Sequence, residues 1–326
     1  MKEQLLALLT QHIGEYISGA SVSRQLGVTR AAVWKAVQAL QKDGFEIEAA
    51  PRRGYRLTAA PDRLTPGSIL PRLQNDHRDS LLCFPTITST NDRAKTLAVP
   101  DRSQNYYLAA EEQTGGRGRR GRSFYSPAGL GLYLTGLYFP DISPLRASRF
   151  TAYAAVAVCR AVEEVCGFAP VIKWPNDILW EGRKLCGILT EMALESESGA
   201  IQYMLTGMGI NTGQAPEDFP EDIRDIAASL KMATGTAPRR DTLCAALINA
   251  LDDAYAGFLS EDPAFLAYYQ ARCATLGHAV NILTGDQVTP AFAESLSDDF
   301  GLTVRYEDGR RETVYAGEVS LRAREV

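Results

Sequence analysis

The chain has 326 residues, of which 45% are hydrophobic and 22% charged, and carries a net charge of −5. That composition belongs to a folded globular protein and excludes disorder, collagen-like repeats and coiled-coil rods. No apolar run approaches the ~18–20 residues that span a bilayer. The N-terminus has Lys2 beside Glu3 and lacks the basic start, apolar core and cleavage site of a secretory signal, so a cytoplasmic location and no membrane partner are expected. On a prior of ~100–200 residues per domain, two or three domains fit. The acidic average argues against nucleic acid, but the charge is uneven. Residues 1–60 hold eight Lys/Arg against five Asp/Glu, while the remainder is acidic. The six cysteines form no C-x-x-C pair and no zinc-finger spacing, so they read as reduced, mostly buried thiols.

Leu5, Leu6, Leu8 and Leu9 give an apolar helical stripe that Ser18-Gly19 is expected to break. Ser21 to Leu26 reads as a short second helix closed by Gly27, a residue at ease in the left-handed C-terminal conformation. Thr29 can cap a longer helix running from Arg30 to Asp43, with Val33, Val37 and Leu40 on one face. Two helices joined by a tight glycine turn make a helix-turn-helix. Phe45 to Leu57 then alternates apolar and polar residues around Pro51-Arg52-Arg53-Gly54, a hairpin with a basic tip, or wing. The longer helix would present Arg30, Ala31, Trp34 and Lys35 where base edges are reached. Arg52 and Arg53 would meet phosphate or the minor groove. A protein-interaction module with a solvated basic face is the other reading. The basic tip, with Ala31 and Ala32 allowing close approach, favours DNA. Residues 58–67, rich in proline and small side chains, read as a linker.

The central region mixes elements. Tyr107–Ala110, Leu130–Phe139, Val171–Trp174, Leu185–Glu191 and Ile201–Ile210 read as strands, Ala152–Val165 and Leu243–Leu259 as helices, and Glu181-Gly182 as a hairpin turn. No dinucleotide fingerprint or Walker sequence is present. An α+β fold with a mixed or mostly antiparallel sheet is expected.

Four stretches carry chemistry. Ser89-Thr90-Asn91 could cap a helix or hold a neutral polar ligand. Residues 111–122 place Arg117, Arg119, Arg120 and Arg122 among glycines. Glycine lets backbone N–H groups approach a ligand, and arginine donates paired hydrogen bonds to carboxylate and phosphate. Nothing in the loop builds a core, so it is expected to be mobile when empty. A solvated basic loop or RNA patch is the alternative. In Lys173-Trp174-Pro175-Asn176-Asp177 a strand delivers a lysine that could neutralise charge on a phosphoryl group, and Asp177 could hold Mg²⁺; a plain strand-end turn is the alternative. Gly187, Gly207 and Gly209 interrupt strands, which marks close approach of a ligand or of neighbouring backbone, and Asn211 ends a strand with a free amide.

Together Ser89-Thr90-Asn91, Gly116 to Gly121, Lys173 to Asp177, Lys184-Leu-Cys-Gly187-Ile-Leu and Gly207-Met-Gly209-Ile-Asn211 resemble the signatures of biotin–protein ligases, across the whole chain and in order. The N-terminal winged helix resembles that of the bifunctional members, which also repress biotin operons. The resemblance implies domains at 1–62, 63–272 and 273–326: a winged helix-turn-helix, a class II synthetase-like sheet with helices, and a small SH3-like barrel. It implies ATP and biotin as substrates with Mg²⁺ and no permanently bound cofactor. Biotinyl-5′-AMP would form and pass biotin to a lysine of a biotin carboxyl carrier domain. It further implies a homodimer, formed when biotinyl-5′-AMP is bound, that engages operator DNA. By residue, it assigns biotin to Ser89, Thr90, Asn91, Gln113, Gly116, Arg117, Gly118, Arg119, Lys184 and Gly187. It assigns ATP to Arg119, Arg120, Arg122, Phe124, Asn176 and Asn211, and catalysis to Arg117, Arg119, Lys173 and Lys184. Some members carry a tryptophan after the arginine loop, packed near the nucleotide; here Phe124 takes that position. Residues 276–326 alternate apolar and polar, with turns at Gly285-Asp286 and Asp308-Gly309. By the resemblance, Gly317 to Arg322 is the closing strand of the barrel and would reach the ATP site or the carrier domain. A non-catalytic biotin-sensing regulator would not need Arg119, Lys173 and Lys184 together. A lipoate–protein ligase would lack the arginine–glycine loop. An RNA-binding protein would repeat it.

Overall fold

The computed structural model describes residues 1–98, 104–284, 287–315 and 318–321. Helix α1 (Lys2–Gln11) buries Leu5, Leu6 and Leu9. It ends at Gln11, well before Ser18-Gly19, and the chain turns at Gly14 with φ +83°. Ser18 instead opens α2 (Gly19–Leu26), its side chain accepting from the Ser21 N–H, and Gly27 closes that helix in the left-handed region. Thr29 caps α3 (Arg30–Lys42) by accepting from the Ala32 N–H. Strands β1 (Glu46–Ala50) and β2 (Gly54–Ala59) pair antiparallel as the wing, and Ile17 bridges to Tyr55 at its base. Val22, Val37, Leu40 and Leu57 join the α1 leucines in an apolar cluster of their own.

Short helix α4 (Pro66–Ile69) leads into the central sheet: β3 (Leu81–Phe84), β4 (Tyr106–Ala110), β5 (Gly131–Tyr138), β6 (Val171–Lys173), β7 (Asp177–Trp180), β8 (Arg183–Leu194) and β9 (Ile201–Asn211). The order is β3-β4-β5-β9-β8-β7-β6, with β3 and β4 parallel and every other pair antiparallel. Glu181 and Gly182, both at positive φ, make the β7–β8 hairpin turn. Helix α5 (Thr90–Leu97) packs against β4, β5 and β9. The short α6 (Pro144–Ala147) precedes α7 (Phe150–Cys166), whose middle is wholly apolar and buried. After α8 (Leu230–Thr234), helix α9 (Arg240–Ser260) packs along α7, and α10 (Pro263–Arg272) follows. Strands β10 (Ala279–Thr284), β11 (Gln287–Leu296), β12 (Leu302–Tyr306), β13 (Arg311–Val314) and β14 (Glu318–Leu321) form an antiparallel sheet ordered β13-β12-β11-β10-β14. The expected Gly285-Asp286 turn, Gly317 and Arg322 lie outside the described residues. This last sheet shares one continuous apolar core with the central sheet. The Trp174 indole N–H donates to the Phe300 carbonyl (2.9 Å), and the Trp174 backbone N–H to the Thr275 hydroxyl (3.0 Å).

Two polar clusters tie segments together. Arg240, only 4% exposed, donates to the Asp62 carboxylate (2.9 Å), the Asp62 carbonyl and Glu111 (2.6 Å), while Glu111 accepts from the Leu64 N–H. Arg239 donates to the carbonyls of Ala60 and Pro61. The second cluster pins the segment before β3 onto α9. His77 Nε2 (2.8 Å), Asn75 Nδ2 (2.8 Å) and the Tyr107 hydroxyl (2.6 Å) converge on Asp252. Burial pushes the Asp252 carboxyl up, but the hydrogen bonds from His77, Asn75 and Tyr107 outweigh it and hold the group below its ordinary range. A carboxyl depressed on folding contributes stability above the unfolded value of about 3.9, and the contribution is lost as pH falls through the lower folded value. Asp252→Asn should therefore melt below the wild type at pH 7, and the gap should close below about pH 4. A gap that stays constant down to pH 3 would contradict this account.

Candidate functional site

The sheet face beneath α5 presents Gly187 and Leu189 from β8 and Gly207 and Gly209 from β9. The absent Cβ atoms make room for named neighbours. A Cβ on Gly207 would stand 2.2 Å from Asn91 Oδ1, and one on Gly209 2.4 Å from the Phe124 ring. These glycines seat the side chains that line the site, which accounts for their spacing in the strands.

Two adjoining cavities of about 470 and 660 Å³ lie over this face and share Gly118, Arg119, Phe124, Asn176 and Lys184. Ser89, Thr90, Asn91, Gln113, Arg117 and Gly187 complete much of the first. The second gathers Arg119, Arg120, Arg122, Lys173 and Lys184 around one carboxylate, Asp177. Five cations against one acid give it a net positive lining, which suits a multiply charged anion. Asn211 lines neither. It belongs to a third cavity beyond Phe124, where its Nδ2 donates to the carbonyls of Ala228 (3.0 Å) and Lys184 (3.3 Å). Gly116 lies beneath the loop, its missing side chain leaving space for the Phe124 carbonyl and Ser126 hydroxyl.

The arginine loop folds back on itself. Phe124 N–H donates to the Gly116 carbonyl (2.9 Å), Gly118 N–H to that of Arg122 (2.7 Å), and Arg117 bridges to Ser123. Arg120 and Gly121 turn the tip in the left-handed region, at φ +56° and +74°. Arg119 donates to Asn176 Oδ1 (2.8 Å), and Asn176 Nδ2 donates to the Ile188 carbonyl (2.9 Å), which fixes the wall between the cavities. Arg117 pairs with Asp92 (2.8 Å) and Lys184 with Asp177 (2.7 Å).

Ser89 does cap α5, accepting from the Asp92 N–H (3.4 Å), while also lining the first cavity. Thr90 gives its N–H to Gln113 Oε1 (2.9 Å), and Gln113 Nε2 donates to Ser126 (3.2 Å). The Thr135 hydroxyl, buried in β5, stands 2.7 Å from Asn91 Oδ1 and 2.8 Å from the Thr90 hydroxyl. Thr135, Asp92, Lys95, Met208 and Glu191 carry no signal as site residues in the sequence. Only the two-residue spacing from Gly187 through Leu189 to Glu191 shows that Glu191 shares the site's face. Val319 reaches the second cavity from the C-terminal sheet, on the closing strand that the resemblance points toward the ATP site or the carrier domain. Cys186 lies wholly buried on β8, its thiol pushed well up by burial, so it offers no nucleophile.

In the N-terminal module Arg30, Ala31, Trp34 and Lys35 are exposed on α3, and Arg52 and Arg53 at the wing tip. Arg30 and Arg52 both line an open cleft of about 880 Å³ between the helices and the wing. The Arg53 guanidinium stacks 4.0 Å over the Tyr16 ring.

A cavity with a neutral polar end, opening through shared arginine and lysine side chains into a more strongly cationic one, on an α+β sheet joined to a winged helix-turn-helix, defines a nucleotide-using ligase domain coupled to a nucleic-acid-reading module. Residues 83–211 match the biotin/lipoate A/B protein ligase family and residues 2–56 a helix-turn-helix domain. The chain is 39% identical over 236 residues to the bifunctional ligase/repressor BirA of Bacillus subtilis, covering 72% of each chain. It is 31% identical to that of Escherichia coli over 330 residues, covering 99% of this chain and 97% of the other. The biotin protein ligase of Aquifex aeolicus, solved with biotin and ATP, superposes with a TM-score of 0.62 at 28% identity, covering 75% of this chain and 99% of that one. The chain belongs to the bifunctional ligase/repressor family of biotin–protein ligases. Among the described residues no helix is long and apolar enough to cross a membrane.

Proposed function

We propose that the protein activates biotin as biotinyl-5′-AMP, transfers it to a lysine of a biotin carboxyl carrier domain, and represses transcription with the adenylate as corepressor. The observation that carries this reading is the wall formed by Arg119, Asn176 and Lys184, which stands between a cavity whose far end is lined by the uncharged Ser89, Thr90, Asn91 and Gln113 and one lined by five cations. Biotin occupies the first, its ureido ring among Ser89, Thr90, Asn91 and Gln113, with Gly116 to Gly118 offering backbone contacts. Its carboxylate reaches the wall, where Arg117, Arg119 and Lys184 face it. The triphosphate occupies the second among Arg119, Arg120, Arg122 and Lys173, with Phe124 and Asn176 on the nucleotide side and Asn211 beyond Phe124.

A carboxylate oxygen attacks the α-phosphorus, the bond to the bridging oxygen breaks, and pyrophosphate leaves. Lys173, Arg119 and Lys184 stabilise the charge spread over the phosphoryl oxygens. The lysine amine of the carrier then attacks the mixed anhydride, an amide forms, and AMP leaves with the electron pair while the amine proton passes to solvent. No side-chain nucleophile is needed, so positioning and electrostatics do the chemistry. Among the described residues no group of three His, Cys, Asp or Glu gathers as a metal cage. A triphosphate-borne Mg²⁺ needs only one or two protein carboxylates. Asp177, beside Lys184 in the second cavity, would hold it, and the ion would screen the phosphates. Closure of the arginine loop would exclude water from the adenylate.

The remaining assignments follow the same reading. The domains divide at 62 and 272, the C-terminal sheet is SH3-like, and the liganded protein dimerises on a two-fold operator. The adenylate then favours the dimer-competent state, which links ligand to DNA binding. Labelled biotin, Mg²⁺-ATP and an apo carrier domain should yield biotinylated lysine together with biotin-dependent pyrophosphate exchange; the absence of both would end the ligase reading. For the repressor half, Arg52→Ala with Arg53→Ala should weaken operator binding and flatten its log–log salt slope by about 2, since each phosphate left without its arginine removes roughly 0.9 from the slope. An unchanged slope would place the wing away from DNA.

A further inference from the structure

Glu191 is absent from the lining of either cavity, yet it fixes a side chain that lines the first. It stands on β8, on the same face as Gly187 and Leu189. Its Oε2 accepts from Asn91 Nδ2 at 2.8 Å, and its Oε1 accepts from Lys95 Nζ at 2.6 Å. The other end of the Asn91 amide is equally constrained. Its Oδ1 lies 2.7 Å from the Thr135 hydroxyl and against Gly207, where a Cβ would come within 2.2 Å. An amide has two distinguishable ends, and a carboxylate can only accept, so Glu191 dictates that the NH₂ end faces it. Asn91 is 5% exposed, and among the described residues its second N–H has no partner.

We propose that Glu191 is a positioning residue for the first cavity, holding Asn91 so that it offers an N–H, and not its carbonyl, to the acceptor oxygen of a bound ureido ring. The proposal rests on the biotin reading given above. Lys95 serves Glu191 by neutralising it, and Asp92, 3.7 Å from Lys95 and 2.8 Å from Arg117, continues the alternation of charge to the arginine loop. The four groups sum to zero charge, so a carboxylate is accommodated beside the neutral ureido ring without repelling the ligand's own carboxylate nearby.

The test compares wild type, Glu191→Ala, Glu191→Gln, Asn91→Ala and the Glu191→Ala/Asn91→Ala double variant. Biotin binding is measured by calorimetry without ATP, and biotin-dependent pyrophosphate exchange across biotin concentrations. Glu191→Ala should raise Kd and KM for biotin about tenfold, the loss of one oriented hydrogen bond, with kcat within about twofold. Glu191→Gln should recover part of the loss, because glutamine keeps an acceptor at one of the two oxygen positions that serve Asn91 and Lys95 and puts an NH₂ donor at the other. The double variant should match Asn91→Ala alone. A fall in kcat with KM unchanged, or losses that add in the double variant, would overturn the proposal. Wild type that binds biotin but shows no exchange would defeat the ligase reading while leaving the Kd pattern to judge Glu191. Failure to bind biotin at all would overturn both.

Discussion

Lys173→Ala should cut biotin-dependent pyrophosphate exchange by ~10²–10³-fold, the usual consequence of removing one preorganised donor from developing charge. Lys173 ends β6 and is delivered to the second cavity by a strand whose Ile172 is fully buried, so its backbone is held by the core and does not depend on the ligand. Biotin binds in the other cavity, which Lys173 does not line, so the biotin Kd should barely move. That split between kcat and biotin affinity separates a phosphoryl-stabilising lysine from a structural one. A Lys173→Ala enzyme with normal turnover would remove Lys173 from the chemistry. Equal losses in kcat and biotin affinity would point to a collapsed site.

Arg119→Gly should release the adenylate instead of holding it for the carrier. Arg119 lines both cavities and fastens the loop tip to Asn176 through a 2.8 Å hydrogen bond. Glycine there removes a cation facing the phosphate and loosens the loop. A hydrogen bond to a charged group contributes about 1.5–3 kcal/mol, so the adenylate should dissociate roughly ten- to a hundredfold faster. The visible outcome is biotin on bystander lysines in a mixture lacking the carrier domain, with a matching rise in the measured off-rate of biotinyl-5′-AMP. Unchanged retention would show that the loop is closed by other contacts.

Much of this site is legible in the chain because its chemistry sits in short runs. The arginine–glycine loop, the turn after Lys173 and the glycines of β8 and β9 each announce themselves within a few residues. The recognition helix is equally legible, since Gly27 and Thr29 mark its approach by local conformation alone. What stays hidden depends on pairing at long range. Glu191 meets Asn91 across a hundred residues, and Thr135 enters from a strand between them. The parallel pairing of β3 with β4 and the shared core beneath the last sheet are likewise properties of the folded chain. Other discrepancies are local. Ser18, expected to break a helix, caps the one that follows, because a serine outside the helix can accept from its first turn. Helix α10, absent from the sequence-based expectation, carries Asp262 as cap and Pro263 at its first position, a start signal confined to two residues.

The anchorage of Arg240 bears on how such a chain could be divided, in the laboratory or by descent. The guanidinium is buried between Asp62, in the segment that follows the wing, and Glu111, at the root of the arginine loop. A chain beginning at residue 61 keeps both carboxylates. One beginning at residue 65 loses Asp62 and leaves the buried guanidinium with Glu111 as its remaining carboxylate partner, so it should be the less stable of the two. A descendant that sheds its N-terminal module therefore keeps a fully paired Arg240 only by carrying Asp62 away with the enzyme.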